Sequence, residues 1–135
     1  RVRATAEIAK LLGLRTAEPL IHVRRVLRLG GVPTICEDMW LPAGPFKGLT
    51  VEQLSSYPGA MYSLFESTFG VRMVRAEERI KATTPDTETA ALLDVATQTP
   101  LLNVERIAYT YNNLPMELRR ALYRTDTHHY KNELN

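Results

Sequence analysis

Disulfide chemistry is closed to this chain: its one cysteine, Cys36, has no second thiol to pair with, so nothing points to an oxidising compartment. An inert, half-buried thiol is the expectation for it. No apolar run approaches the ~20 residues that span a bilayer, and no charged, apolar, small-residue leader opens the sequence, so no membrane partner and a cytoplasmic location are expected. A glycine-rich phosphate loop, a Gly-x-Ser-x-Gly elbow and a Cys-His nucleophile pair are all missing, which disfavours classical hydrolase or kinase chemistry. His128 and His129 lie beside Asp126, but neighbours on an extended segment point oppositely and lack a spaced third ligand, so no metal and no cofactor are expected. Internal repeats, low-complexity tracts and interdomain linkers are likewise absent.

What is present is one domain's worth of chain, 135 residues with 44% hydrophobic and 24% charged side chains, enough for one ordinary core. The net charge of +2 is unevenly placed: Arg1 to Gly31 carries seven Lys/Arg against two Asp/Glu, and the remainder ten against thirteen. Arg1, Arg3, Lys10 and Arg15 lack interleaved aromatics or a helix-turn-helix pattern, so a solvated helix face is favoured over a nucleic-acid contact.

Ala4, Ile8, Leu11 and Leu12 recur at helical spacing before Gly13, which predicts an amphipathic helix. Pro19 to Leu29 and a second run to Pro42 flank Gly30-Gly31 as a hairpin. Leu41 to Lys47 breaks the pattern. Thr50 to Leu54 opens a helix, and Pro58 to Phe69 gives another with Met61, Leu64, Phe65 and Phe69 as its stripe, closed by Gly70. Val71 to Thr83 is expected as one long strand. Pro85-Asp86-Thr87-Glu88 opens a short helix with Ala90, Ala91, Leu92 and Leu93 turned inward. Pro100 to Tyr111 and Leu114 to Arg124 form a second hairpin around Asn112-Asn113. Strands joined by tight turns are antiparallel, so the class is α+β with helices packed on a sheet.

Alternate residues of a strand face opposite sides, so a charge sharing parity with apolar residues is aimed inward. Arg25 sits among Ile21, Val23, Leu27 and Leu29, and Glu37 among Ile35, Met39 and Leu41. A three-residue loop of Gly30, Gly31 and Val32 places Arg25 opposite Glu37 and keeps the apolar faces together, whereas a two-residue loop pairs Arg25 with Cys36. In the last hairpin, Leu102, Val104, Arg106 and Ala108 share a face with Glu117, Arg119, Ala121 and Tyr123. Buried ions cost several kcal/mol unless paired or bound. Parity alone leaves two readings open: a polar pocket for a ligand with an anionic group, or internal ion pairs of Arg25 with Glu37 and of Arg106 or Arg119 with Glu117. Arg75, Glu77 and Arg79 fall on the outward parity, and Trp40 on the polar parity of its strand, where a covered edge, a dimer contact or core packing all fit.

The runs VRRVLRLGGVPTICEDMWLP, MYSLFESTFGV, IKATTPDTETAALLDV and TPLLNVERIAYTYNNLPMELRRALYRTDTHHY together resemble a UTRA effector domain of the GntR/HutC regulators over nearly the whole chain, residues 1–135. The resemblance implies a chorismate lyase-like antiparallel sheet with helices. It also implies a homodimer, an effector-binding role without catalysis, and operator DNA bound through an N-terminal winged helix-turn-helix that this chain lacks, with the first strand of the sensor clipped before Arg1. By position, the ligand-contacting arginine and its carboxylate correspond to Arg25 and Glu37, the helix tyrosine to Tyr62, and the C-terminal pair to Glu117 and Tyr123. Leu27 stands where a second arginine is frequent and Ala60 where a serine is. Arg119 replaces a neutral residue and would supply the missing cation, which implies a small carboxylate or zwitterion in place of a sugar phosphate. A chorismate lyase-like enzyme and a ligand-free dimerisation module are the rival readings.

Overall fold

The computed structural model describes residues 1–56 and 60–134. Val2–Arg3 (β1) pairs antiparallel with the start of β2 (Pro19–Leu29), Val2 opposite Leu20 and Arg3 opposite Pro19. This two-residue strand is too short for any periodicity and was not anticipated from the sequence. Thr5 caps helix α1 (Ala6–Leu12) by accepting the Ile8 N–H, and Gly13 ends it in the left-handed conformation.

The turn after β2 uses Gly30 and Gly31, both at positive φ, a combination that glycine adopts without a Cβ penalty. Val32 already belongs to β3 (Val32–Pro42), so the connection is one residue shorter than expected. The side-chain contacts are nevertheless those of the longer register: Arg25 meets Glu37, Arg24 meets Asp38, and His22 stacks on Trp40 with centroids 4.9 Å apart.

Thr50 and Gln53 bond reciprocally, N–H to side chain in each direction, at the start of α2 (Val51–Ser56). Helix α3 (Met61–Phe69) closes at Gly70; the Pro58 start expected for it lies outside the described residues. The strand expected from Val71 begins only at Arg75 (β4, Arg75–Thr83), because the Schellman closure draws the Val71 N–H to Phe65 and Val74 bonds Tyr109 from irregular backbone. Asp86 caps α4 (Thr87–Leu93), where Ala90 and Leu93 are buried and Leu92 half-buried, but Ala91 faces solvent, contrary to expectation. A helix of seven residues cannot turn four successive side chains inward. Strands β5 (Leu101–Thr110) and β6 (Leu114–Arg124) are joined through Asn112 and Asn113, both left-handed, and Arg120 bonding Glu105 fits the expected two-residue register.

The strands form one antiparallel sheet in the order β1-β2-β3-β6-β5-β4, with four helices, an α+β fold of the chorismate lyase-like kind. The chain divides into two compact units, and β2 to β6 contribute residues to both. In the first (Arg1–His22, Met39–Glu78, Arg106–Leu118), α1 packs Ile8, Ala9 and Leu12 on Leu20, Ile107 and Leu118, with Trp40 against them. Trp40 is therefore a core-packing residue. Phe46 lies edge-on to Phe65 of α3 in the same unit. In the second (Val23–Asp38, Arg79–Glu105, Arg119–Asn135), Cys36, Leu93 and Leu101 form the core, with α4 over it. Both strand parities are thus covered: Leu20, Thr34 and Cys36 are as buried as Met39 and Leu41. Among the described residues no helix is long and apolar enough to cross a membrane.

Candidate functional site

Glu37 is the centre of the charged group in the second unit. β3 holds it between Cys36 and the Ile35–Met39 parity, and it is only 4% exposed. A carboxylate this deep needs its oxygens occupied. Arg25 donates from Nε (3.1 Å) and Nη2 (2.6 Å) to Oε2, and Arg119 of β6 places Nε 3.3 Å from Oε1. The Arg25 and Arg119 side chains are 28% and 20% exposed. Two guanidiniums thus meet the same carboxylate in a partly desolvated place, one at each oxygen. Of the five N–H groups of Arg25, two are used by Glu37. Tyr123 is half-buried two turns of the pleat further along β6, on the parity of Arg119.

Arg24, the preceding residue, has the opposite stoichiometry on the opposite face. Its Nε and Nη2 bond Asp38 at 2.9 and 3.1 Å, and Nη1 bonds Glu88 at 2.7 Å. The Asp38 bond, above all, holds the Arg24 guanidinium beyond its usual range. One cation against two carboxylates repels an anion, whereas the group around Glu37 brings two cations to one carboxylate. Cys36 is buried, and burial pushes its thiol up, which suits an inert side chain.

Tyr62 and Glu117 form a group in the first unit. Tyr62 donates to Oε1 of Glu117 at 2.6 Å, and Glu117 is fully buried. Arg106 donates to the Tyr62 oxygen at 3.3 Å and to Glu78 at 2.9 Å. Burial lowers the Arg106 proton affinity, but the bonds to Tyr62 and Glu78 outweigh it and the guanidinium is held above its ordinary value. Arg106 thus meets Glu78 and Arg119 meets Glu37, ion pairs that neither hairpin taken alone reveals. Glu78 was missed; its parity with Ile80, opposite to Glu77, was the available signal.

A cavity of about 410 Å³ opens in the first unit, lined by Leu12, Pro19, Pro42, Leu114, Pro115 and Met116 among others. None of Arg25, Glu37, Tyr62, Glu117, Arg119 or Tyr123 lines it. Of its prolines, Pro19 and Pro42 enter the sequence reading only as strand ends.

Residues 1–129 match the UTRA domain family. The HTH-type transcriptional repressor PhnF of Mycolicibacterium smegmatis is 31% identical over 119 residues, 88% of this chain and 48% of that protein. The HTH-type transcriptional regulator Rv0792c of Mycobacterium tuberculosis is 31% identical over 85% of this chain and 42% of its own length. The chain spans about half the length of these curated relatives. Among solved structures, the ligand-binding domain of a protein described as a GntR-family regulator from Bordetella bronchiseptica superposes with a TM-score of 0.92 at 50% identity, over 99% of this chain and 84% of that one. PhnF from Mycobacterium smegmatis superposes at 0.84 with 26% identity, over 99% of this chain and 58% of that one.

Proposed function

The chain belongs to the UTRA domain family, and from that premise we propose that it is the effector-sensing, dimer-forming part of a GntR/HutC-type transcriptional repressor. In this reading a small anionic metabolite binds here, in the cytoplasm, and shifts the affinity for operator DNA of a winged helix-turn-helix carried elsewhere in the protein. The coupling is linkage: a ligand that prefers one arrangement of a dimer populates it. The observation that carries the ligand assignment is the pair of guanidiniums, Arg25 and Arg119, on the single carboxylate of Glu37. An incoming carboxylate would be attracted to two adjacent guanidiniums, and a planar oxyanion suits the guanidinium fork.

We assign Tyr123 to the same group, and Tyr62 with Glu117 to a second polar group whose contribution is tested separately. With Leu27 and Ala60 in place of residues that serve phosphate, the effector class is a small carboxylate or a zwitterion. A thermal-shift screen followed by isothermal titration checks this, because a true ligand raises apparent stability by mass action. Carboxylate binding that is weakened by Arg25→Ala and by Arg119→Ala is expected. Tight binding of amino-sugar phosphates that ignores Arg119→Ala would defeat the effector assignment. Named relatives are transcriptional regulators, which favours a sensor over an enzyme; an assay for pyruvate release from chorismate decides between them.

A further inference from the structure

We propose that the cavity at the C-terminal end of α1 is a second ligand site, built for an aromatic carboxylate whose ring lies between prolines and whose carboxylate meets Arg15. It lies wholly within the first unit and shares no residue with the Arg25–Glu37 group. Its size suits a small molecule: about 410 Å³, within the roughly 300–1,000 Å³ of ligand pockets. The end of α1 with the loop to β2, the turn after β3 and the start of β6 enclose it. Leu12, Pro42 and Ala43 are buried, whereas Arg15 and Glu18, the charged residues of the lining, are exposed, the Arg15 side chain by 94%. The site therefore has an apolar floor and a charged mouth.

The wall chemistry selects the body of the ligand. Pro19, Pro42, Pro45 and Pro115 all line the hollow, and proline has no amide N–H to donate. The N–H of Ala43 is spent on the Pro19 carbonyl at 3.2 Å. Such a wall suits an apolar body better than a polyhydroxylated one. Proline rings against aromatic faces are the complementarity by which aromatic grooves hold proline-rich segments, here with the roles exchanged. Met116 adds a thioether, which packs favourably at an aromatic edge. A flat ring system is the body that both features favour.

The mouth selects the head group. Glu18 Oε1 accepts the backbone N–H of Arg15 at 3.4 Å, and the Arg15 Nε comes no nearer to that oxygen than 3.7 Å. Among the described residues the Nη groups of Arg15 meet no acceptor. A guanidinium with its terminal fork open, beside an apolar hollow, pairs with a planar carboxylate.

Isothermal titration with naphthoate tests this, with naphthamide and the saturated decalin carboxylate as comparators. Binding should survive Arg25→Ala. Gly44 lines the hollow without a left-handed φ, and a Cβ there meets nothing within 4 Å, so Gly44→Leu occupies space without backbone strain. It should weaken naphthoate about tenfold or more and leave the urea midpoint unchanged. Leu114→Glu, at a half-exposed lining position, sets a like charge against the ligand and should weaken it as well. Arg15→Gln should cost about two- to fivefold for naphthoate, as for an exposed ion pair, and nothing for naphthamide. No binding at millimolar naphthoate, or binding untouched by both Gly44→Leu and Leu114→Glu, overturns the site. Binding lost in Arg25→Ala puts the ligand on the Glu37 group instead, which overturns the second site and leaves the effector reading standing. Decalin carboxylate binding as tightly as naphthoate overturns the aromatic assignment.

Discussion

Replacing Glu37 by glutamine keeps the shape of the side chain and removes the carboxylate charge that Arg25 and Arg119 both meet. At the observed 2.6 and 3.3 Å, an effective dielectric of about 20 gives attractions of roughly 6 and 5 kcal/mol. Against these stands the cost of holding a 4%-exposed carboxylate away from water, several kcal/mol. The guanidiniums are 28% and 20% exposed, so water recovers part of the loss when the anion goes. A net destabilisation of about 2–4 kcal/mol is expected, somewhat below the value for breaking a fully buried pair. For a chain of this size that lowers Tm by roughly 10 °C. Urea denaturation should show a lower midpoint with an unchanged slope.

The companion variant Glu37→Ala opens space as well. Sulfate or acetate should raise its stability more than that of wild type, since an anion can now take the vacated position. If Glu37→Gln stays within about 0.5 kcal/mol of wild type and Glu37→Ala shows no preferential response to anions, then the charge of this group is already answered by solvent, and the argument for an anionic ligand goes with it.

Tyr62→Phe removes the donor to buried Glu117 and should cost about 1–3 kcal/mol by denaturant titration, with an effect near zero showing that the carboxylate is otherwise satisfied. Leu12→Ala in the core under α1 should cost about 2–5 kcal/mol, the upper end if the site fails to collapse. At Asn112, φ is 61°, so Asn112→Val should destabilise the second hairpin by about 1–2 kcal/mol while Asn112→Gly is tolerated. The backbone N–H of Thr89 bonded to Asp86, and the guanidinium of Arg124 bonded to Asp126, hold both carboxyls below their ordinary 3.8. Their contribution is therefore complete above pH 3.8 and is lost as the pH falls through the lowered folded values. Asp86→Asn and Asp126→Asn should flatten the acid limb of the stability curve in that window and leave its neutral limb unchanged in slope.

Elements with strong period and clear punctuation were legible without coordinates. Pro19, Leu29 and Pro42 bound their strands because proline and the paired glycines restrict or release the backbone locally, and Asp86 and Gly13 cap their helices for the same local reason. Errors arose where a nonlocal contact decided. Val71 to Val74 has strand composition, yet the helix closure at Gly70 and the bond to Tyr109 claim its amides. Trp40 was ambiguous because parity assumed one solvated face, whereas α1 covers that face too. At the candidate site, parity located Arg25 and Glu37 because a charge among aliphatics is conspicuous in one strand. The pairing of Arg119 with Glu37 needs β6 beside β3, a neighbour relation that no local pattern contains.

That nonlocal relation bears on what the second guanidinium does there. Register in the first hairpin is already fixed by the Arg24 triad with Asp38 and Glu88 and by the His22–Trp40 stack, together with burial of Leu20. A neutral residue at 119 would leave Arg25 and Glu37 as a balanced pair and spare the sheet a second half-buried guanidinium. Register in this hairpin thus does not depend on Arg119, whose half-buried charge carries a desolvation cost that its partners must offset. The fold tolerates that cost because Glu37 offers a separate oxygen to each arginine. On the sensor reading proposed above, an anionic ligand would act through these guanidiniums, since a ligand can shift an equilibrium only through interactions that differ between the two states.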